Sequence, residues 1–194
     1  MHGEKAECGS LVEKISEGDR GALGELYERM KSPVFGLALA ILKNRSDAED
    51  VAQSAFLRVW ESAGSYRAGT DAGAWIMTIT RNLALDRFRR RKNMTDIMDM
   101  ADTLPGGDDL TPKLDRMLLE HLLSELDCSE RQIVMLRAVG GYSHGEIARI
   151  LGRPCATVRW KYGRAIKKLQ ALFAKEEAHD ENRKQVRFAA GNCK

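Results

Sequence analysis

Aromatic residues are scarce in this chain, 6% of 194 residues, and stretches rich in Val, Thr, Tyr, Phe and Trp are hard to find. Strands draw on those residues, so a sheet protein is disfavoured. The periodic segments use Ala, Leu, Arg, Glu and Met instead, which helices prefer, and an all-α fold is expected. The four cysteines, Cys8, Cys128, Cys155 and Cys193, form no C-x-x-C pair. That argues against a zinc knuckle or a disulfide framework and suits a reducing cytoplasm. No apolar run approaches the roughly 18 residues of a membrane span, and the N-terminal MHGEKAECGS has no apolar signal core. No membrane insertion is expected. A P-loop lysine motif is also missing, so nothing points to a nucleotide-driven step, and no cofactor is expected.

Net charge is small as well, +3, and says little about partners. Its distribution says more. Arg87, Arg89, Arg90, Arg91 and Lys92 form one basic block, and Arg159, Lys161, Arg164, Lys167 and Lys168 a second. Between them stand Asp96, Asp99, Asp102, Asp108 and Asp109, with no Lys or Arg from Thr95 to Thr111. The layout is basic, acidic, basic.

Helix starts are signalled by capping-box spacings at Ser46/Glu49, Ser129/Gln132 and Ser143/Glu146, with Asp19 and Thr70 as simpler caps. Helices are expected over about residues 10–17, 20–43, 47–62, 71–92, 113–126, 130–139, 144–151 and 154–174. TLPGGDDLTP, with two prolines and two glycines, is the strongest linker signal. The chain therefore divides into a helical domain over about 1–92, an acidic linker over about 93–112, a second helical domain over about 113–174, and a polar tail over about 175–194 expected to be frayed or disordered.

In the second domain, YSHGEIARILGRPCATVRWKYGRAIKKL has the form of a helix-turn-helix: a short capped helix, a turn at Gly152, and a second helix with Pro154 as first residue. Cys155, Val158, Tyr162, Ala165, Ile166 and Leu169 recur at helical spacing and are expected inward. Cys155 reads as a small core hydrophobe. Thr157, Arg159, Trp160, Lys161 and Arg164 are left outward, where Arg and Lys can meet phosphates or guanine edges in a major groove.

In the first domain, Trp75, Ile76, Ile79 and Leu83 share one arc of the helix opening AWIMTITRNLALDRFRRR, and Thr78, Arg81, Asn82, Leu85, Arg89 and Lys92 another. Asp86 and Arg90 are expected as an i, i+4 pair. Arg81 and Asn82 can read base edges, and Arg89 and Lys92 can hold phosphates. The preceding loop, with Tyr66 and Arg67, can wrap an unstacked base, stacking being worth about 1–3 kcal/mol; alternatively, Tyr66 simply caps the core. The helix DAEDVAQSAFLRVW carries Asp47, Glu49, Asp50 and Gln53 near its start. Asp47 and Glu49 lie about 200° apart with no His nearby, so a converging metal site is not expected, and carboxylates there suit the helix dipole. The pattern reads as a polar docking surface backed by Phe56, Val59 and Trp60.

These segments, in this order, resemble the extracytoplasmic-function subgroup of bacterial sigma-70 family initiation factors over about Leu11 to Leu172: LVEKISEGDRGALGELYERM the opening, DAEDVAQSAFLRVW the core-binding helix of region 2, AWIMTITRNLALDRFRRR the −10 reading helix, and LRAVGGYSHGEIARILGRPCATVRWKYGRA the region 4 helix-turn-helix. The resemblance implies a non-enzymatic factor. Asp47, Glu49, Asp50, Gln53 and Phe56 would dock on the clamp helices of the polymerase's largest subunit. Tyr66, Arg67, Thr78, Arg81, Asn82, Asp86 and Arg89 would form the −10 surface, and Arg153, Thr157, Arg159, Trp160, Lys161 and Arg164 would meet the −35 duplex. RNA polymerase core, promoter DNA and an anti-sigma factor are the implied partners, and the cytoplasm the implied location. The chain departs from the family's usual pattern at Leu126–Asp127, at Ala156 and at Trp160, where small or polar residues are usual, and it places Gly163 in mid-helix.

Promoter elements about 17 base pairs apart lie roughly 60 Å along the duplex at 3.4 Å per pair, and a linker of about 20 residues can stretch roughly 70 Å. Two-site binding is feasible if the linker is extended. The alternatives are a stand-alone helix-turn-helix regulator, which would not co-purify with core polymerase, and a carboxylate-metal nuclease.

Overall fold

The computed structural model describes residues 2–95 and 125–191, and the side chains of residues 7–91 and 125–174. Its elements are α1 (His2–Ser16), α2 (Arg20–Leu42), α3 (Arg45–Ser62), a 3-10 turn (Ala63–Ser65), α4 (Ala72–Thr95), α5 (Cys128–Ala138), α6 (His144–Leu151) and α7 (Cys155–Gly191). Residues 96–124, with the expected helix over about 113–126 and most of the acidic linker, lie outside the described residues.

The caps correct several expected boundaries. Asp19 does cap α2, accepting the amides of Gly21 and Ala22 at 2.8 and 3.1 Å. Ser143 and Glu146 do close a reciprocal box on α6. For α3, however, Asn44 rather than Ser46 accepts the Asp47 amide, at 2.9 Å, and Glu49 turns to Arg45 at 2.7 Å. For α5 the box is Asp127 with Glu130, at 2.8 and 2.9 Å, rather than Ser129 with Gln132. Both segments contain two overlapping cap registers two residues apart, and the earlier one gives the longer helix. Asp71, not Thr70, accepts the Ala74 amide and opens α4. The first helix starts well before residue 10, because Cys8 joins Leu11, Val12 and Ile15 on its buried face. The last helix runs to Gly191 through the segment expected to be a frayed tail; polarity does not exclude a helix rich in Ala, Glu, Lys and Arg.

Helices α1 to α4 enclose Leu26, Val34, Leu37, Ile41, Val59, Ile76 and Met77, and α5 to α7 enclose Ile133, Leu136, Ile147 and Val158. These apolar groups form one continuous cluster. The two helical units are thus seated directly on each other, α5 against α2 and α6 against α4. Two glycines permit the approach: a Cβ on Gly36 would stand 2.7 Å from Met135 Cε, and one on Gly73 would stand 2.8 Å from the Tyr142 hydroxyl. Burial, and after it the Asp71 carboxylate, raises the Tyr142 phenol above its ordinary range, so it stays neutral in the seam.

Arg131 fastens the seam. The last carbonyls of a helix have no intrahelical amide partner. On α2 the Lys43 amide takes the Leu39 carbonyl, and Arg131 Nε, from α5, donates to the Ala40 carbonyl at 3.0 Å. The same guanidinium donates to the Leu126 carbonyl at 2.6 Å. Arg131 is buried, and a cation at this end of α2 also complements the helix dipole.

A second polar device holds α5 to α7. Glu130, fully buried, accepts from Arg164 Nε at 2.5 Å and Lys168 Nζ at 2.9 Å. Asp127 accepts from Arg164 at 2.8 Å and Lys161 at 3.3 Å. Burial works to raise both carboxyls. It is outweighed for Asp127 by the Glu130 amide and Lys161, and for Glu130 by the Asp127 amide, Lys168 and Arg164, so both lie below their ordinary values.

Two predictions follow from these contacts. Arg131→Ala leaves two buried carbonyls without a donor, and it should lower the free energy of unfolding by about 2–3 kcal/mol. Urea denaturation monitored by circular dichroism, with paired fluorophores on α2 and α5 reporting separation, checks this; an unchanged midpoint would refute the fastening role. Because both cap carboxyls are lowered on folding, their contribution is complete above their ordinary values of 3.8 and 4.5 and is lost as pH falls through the lowered ones. The urea midpoint of the native chain should therefore fall more between pH 7 and pH about 3 than that of Glu130→Gln. Parallel losses would count against it.

Candidate nucleic-acid interface

On α4 the buried positions are Ala72, Gly73, Ile76, Met77, Thr80 and Ala84. The inward arc is rotated toward Met77 and Thr80 from the expected Ile76–Ile79–Leu83 stripe, because α4 is covered by α1 to α3 on one side and by α6 on the other. Ile79, Leu83 and Trp75 pack at its margin. Asn82 and Arg89 are exposed on the opposite side, and Thr78, half-buried, donates to the Ala74 carbonyl at 2.8 Å. Asp86 pairs with Arg89 at 3.4 Å, not with Arg90 as expected.

Arg81 lies apart from this group. It is half-buried at the seam, its Nε buried without a hydrogen-bond partner. Burial, then the positive charges of Arg153 and Arg89, pushes its guanidinium below the ordinary range while leaving it cationic. One residue of the expected −10 set thus stands within electrostatic reach of one from the −35 set.

In the loop before α4, Tyr66 is packed against the core. Its ring packs on Trp75, centroids 5.4 Å apart, and its hydroxyl donates to the Thr70 carbonyl at 2.6 Å. Tyr66 braces the loop against the core, and Arg67, Ala68, Gly69 and Thr70 are exposed beyond it.

On α3 the expected docking residues separate. Asp47 accepts from Arg87 at 2.6 Å and from Arg91 at 3.5 Å, fixing α3 to α4. Phe56 is buried, its ring 4.9 Å from that of Tyr27. Placing it on the docking surface is corrected: it shares the inward arc with Ala48, Val51, Ala55 and Val59. Glu49, Asp50 and Gln53 are exposed. Beside them stands Leu57, 63% exposed, which the sequence reading missed. The signal was available, since Leu57 lies about 160° from Val59 on a helical wheel and cannot share the core arc.

In the helix-turn-helix, Gly152 at φ 62° makes the left-handed turn between α6 and α7. The Pro154 carbonyl accepts the Val158 amide at 3.2 Å, so α7 proper starts one residue later than expected. Val158 and Ala165 are fully buried and Cys155 and Tyr162 partly so. Arg153, Arg159 and Trp160 are exposed and Thr157 half-buried. Lys161 and Arg164, expected outward, are held by the Asp127 and Glu130 carboxylates.

Among the described residues, no group of His, Cys, Asp or Glu converges as a metal site, and no helix is long and apolar enough to cross a membrane.

The description "Sigma-70 region 2" matches residues 26–94, which contain α3 and all but the final residue of α4, and "Sigma-70, region 4" matches residues 116–169, which contain the helix-turn-helix. The chain is 32% identical to the RNA polymerase sigma factor CarQ of Myxococcus xanthus, over 86% of this chain and 97% of CarQ. It is 28% identical to the ECF RNA polymerase sigma factor BldN of Streptomyces coelicolor, over 88% of this chain and 67% of BldN. Among solved structures it is similar to CnrH, in complex with the cytosolic domain of CnrY: TM-score 0.67, 25% identity, covering 87% of this chain and 98% of CnrH. The fold is also that of RpoE of Bartonella quintana, solved with the anti-sigma factor NepR: TM-score 0.68, 21% identity, covering 77% and 97%. Extent of match, order of segments and fold agree, and the chain belongs to the extracytoplasmic-function subgroup of sigma-70 factors, which bind RNA polymerase and direct promoter-specific initiation without catalysing a reaction themselves.

Proposed function

We propose that this sigma factor divides its work among three faces. The outward face of α3, with Glu49, Asp50, Gln53 and Leu57, docks on the clamp helices of the polymerase's largest subunit. The observation that carries this is Leu57, a large apolar side chain left 63% exposed amid polar residues on a helix whose other faces are covered. Such an anchor within a polar rim suits a protein interface. Asp47 acts through Arg87 and Arg91, setting the angle between docking helix and −10 helix.

The −10 surface consists of Asn82, Arg89 and Thr78 on α4 with Arg67 in the loop that Tyr66 braces, and Asp86 orients Arg89. Arg81 belongs to it once the seam opens. The −35 duplex is met by Arg153, Thr157, Arg159 and Trp160. Elements roughly 60 Å apart on DNA cannot both be reached while the two units share one core, so the seated arrangement is the form that precedes promoter binding. Core polymerase, by taking α3, supplies the energy that separates the units. The factor works in the cytoplasm. CnrH and RpoE were solved with CnrY and NepR bound, and a regulatory partner of the anti-sigma type is proposed here too.

The test is reconstitution with purified core polymerase. Asp50→Ala combined with Leu57→Ala removes two exposed side chains, so folding should be unaffected, and affinity for core should drop about ten-fold or more if Leu57 is an anchor. Affinity equal to that of the unaltered chain would remove the docking assignment.

A further inference from the structure

Nothing among the described residues explains Gly163. It lies inside α7 with ordinary helical backbone, and a Cβ added to it would meet nothing within 4 Å. Among the described residues neither turn geometry nor packing calls for glycine, and glycine within a helix is less favourable than alanine. A bare backbone at that position permits close approach by another molecule.

The residue beside it is equally unusual. Trp160 is 60% exposed and projects directly away from the buried Val158–Ala165 face. It is flanked along that ridge by Ala156, four residues before, and Gly163, three after, both exposed. An indole thus stands on a strip of nearly bare backbone. It does not swing freely: the Arg164 guanidinium lies 4.8 Å from the ring centroid, and Arg164 is itself held by the buried Glu130 and by Asp127. Those carboxylates engage Arg164 and Lys161, whereas Arg153, Arg159 and Lys167 are exposed.

We propose that Trp160 is the base-reading residue of the recognition helix and selects thymine in the −35 element, with Arg164 as its positioning residue and Gly163 as the bare backbone that lets α7 descend into the major groove. This rests on the assignment of α7 to the −35 duplex. In that groove only a T·A pair offers a C5-methyl group, an apolar surface for the indole, next to an acceptor, O4, for its single N–H donor. The exposed arginines and Lys167 hold the flanking phosphates and carry no sequence information of their own.

The experiment uses holoenzyme assembled from core polymerase and the full chain, transcribing a promoter library randomised at the −35 element. Each preferred thymine is then replaced by deoxyuridine, which removes only the methyl group. The native holoenzyme should prefer thymine at one or two positions and lose roughly five-fold or more activity with deoxyuridine there. Trp160→Ala should abolish both effects at those positions while sparing preferences elsewhere, and Trp160→Phe should retain them in part. Arg164→Gln should weaken the deoxyuridine effect at the same positions only, a loss that general destabilisation would spread over all positions. Gly163→Ala should melt at the same or a higher temperature yet transcribe less from −35-dependent promoters; undiminished transcription overturns the close-approach role. A Trp160→Ala holoenzyme that selects the same bases with the same deoxyuridine sensitivity overturns the base-reading role and leaves the −35 assignment standing. A native holoenzyme without any −35 preference overturns that assignment, and this proposal with it.

Discussion

The arrangement depends on a guanidinium that has left water. Arg131 reaches from one helical unit to the buried carbonyl end of a helix in the other, and the carbonyls it meets are its main compensation for lost hydration. That geometry is demanding: α2 must end where it does, and α5 must start at Asp127 for the Arg131 stem to face the seam. Once met, it brings Gly36 under Met135 and Gly73 under Tyr142, and the apolar surfaces of the two units merge. That merger places Arg81 of the first unit at the seam with the second.

Carboxylates then determine which cations are available to a partner. Of the basic block on α4, Arg87 and Arg91 are committed to Asp47, whereas Arg89 is exposed with only a long contact to Asp86. In the second block, Lys161, Arg164 and Lys168 are committed to Asp127 and Glu130. Reading each block as one DNA-facing surface therefore overstates it. The internal pairs act as alignment pins, and a smaller set of arginines keeps the freedom to meet phosphate.

Much of this was legible in the sequence. Helical periodicity and scarce aromatics were enough for the all-helical class, and Ser143, Gly152 and Pro154 located the helix-turn-helix to within a residue. What the sequence hid was non-local. Asn44 and Ser46, or Asp127 and Ser129, offer equally good local caps, and only tertiary fit selects between them. The buried roles of Arg131 and Glu130 contradict the general expectation for charged residues, and each is intelligible only with its distant partners in place. Arg81 looked like an outward reader because the α4 wheel was drawn without a neighbour on its far side.

The half-burial of the Arg81 guanidinium at the seam, where the charges of Arg153 and Arg89 oppose its own, has an ionic consequence. Like charges gathered near a seam raise the local positive potential, which the ions of the solution screen. Concentrated electrolyte screens that repulsion and independently weakens association with the DNA polyanion. Dilute electrolyte does the reverse on both counts. The seated and promoter-engaged forms are therefore set against each other by the same small ions, which tilt the balance in one direction through two separate terms.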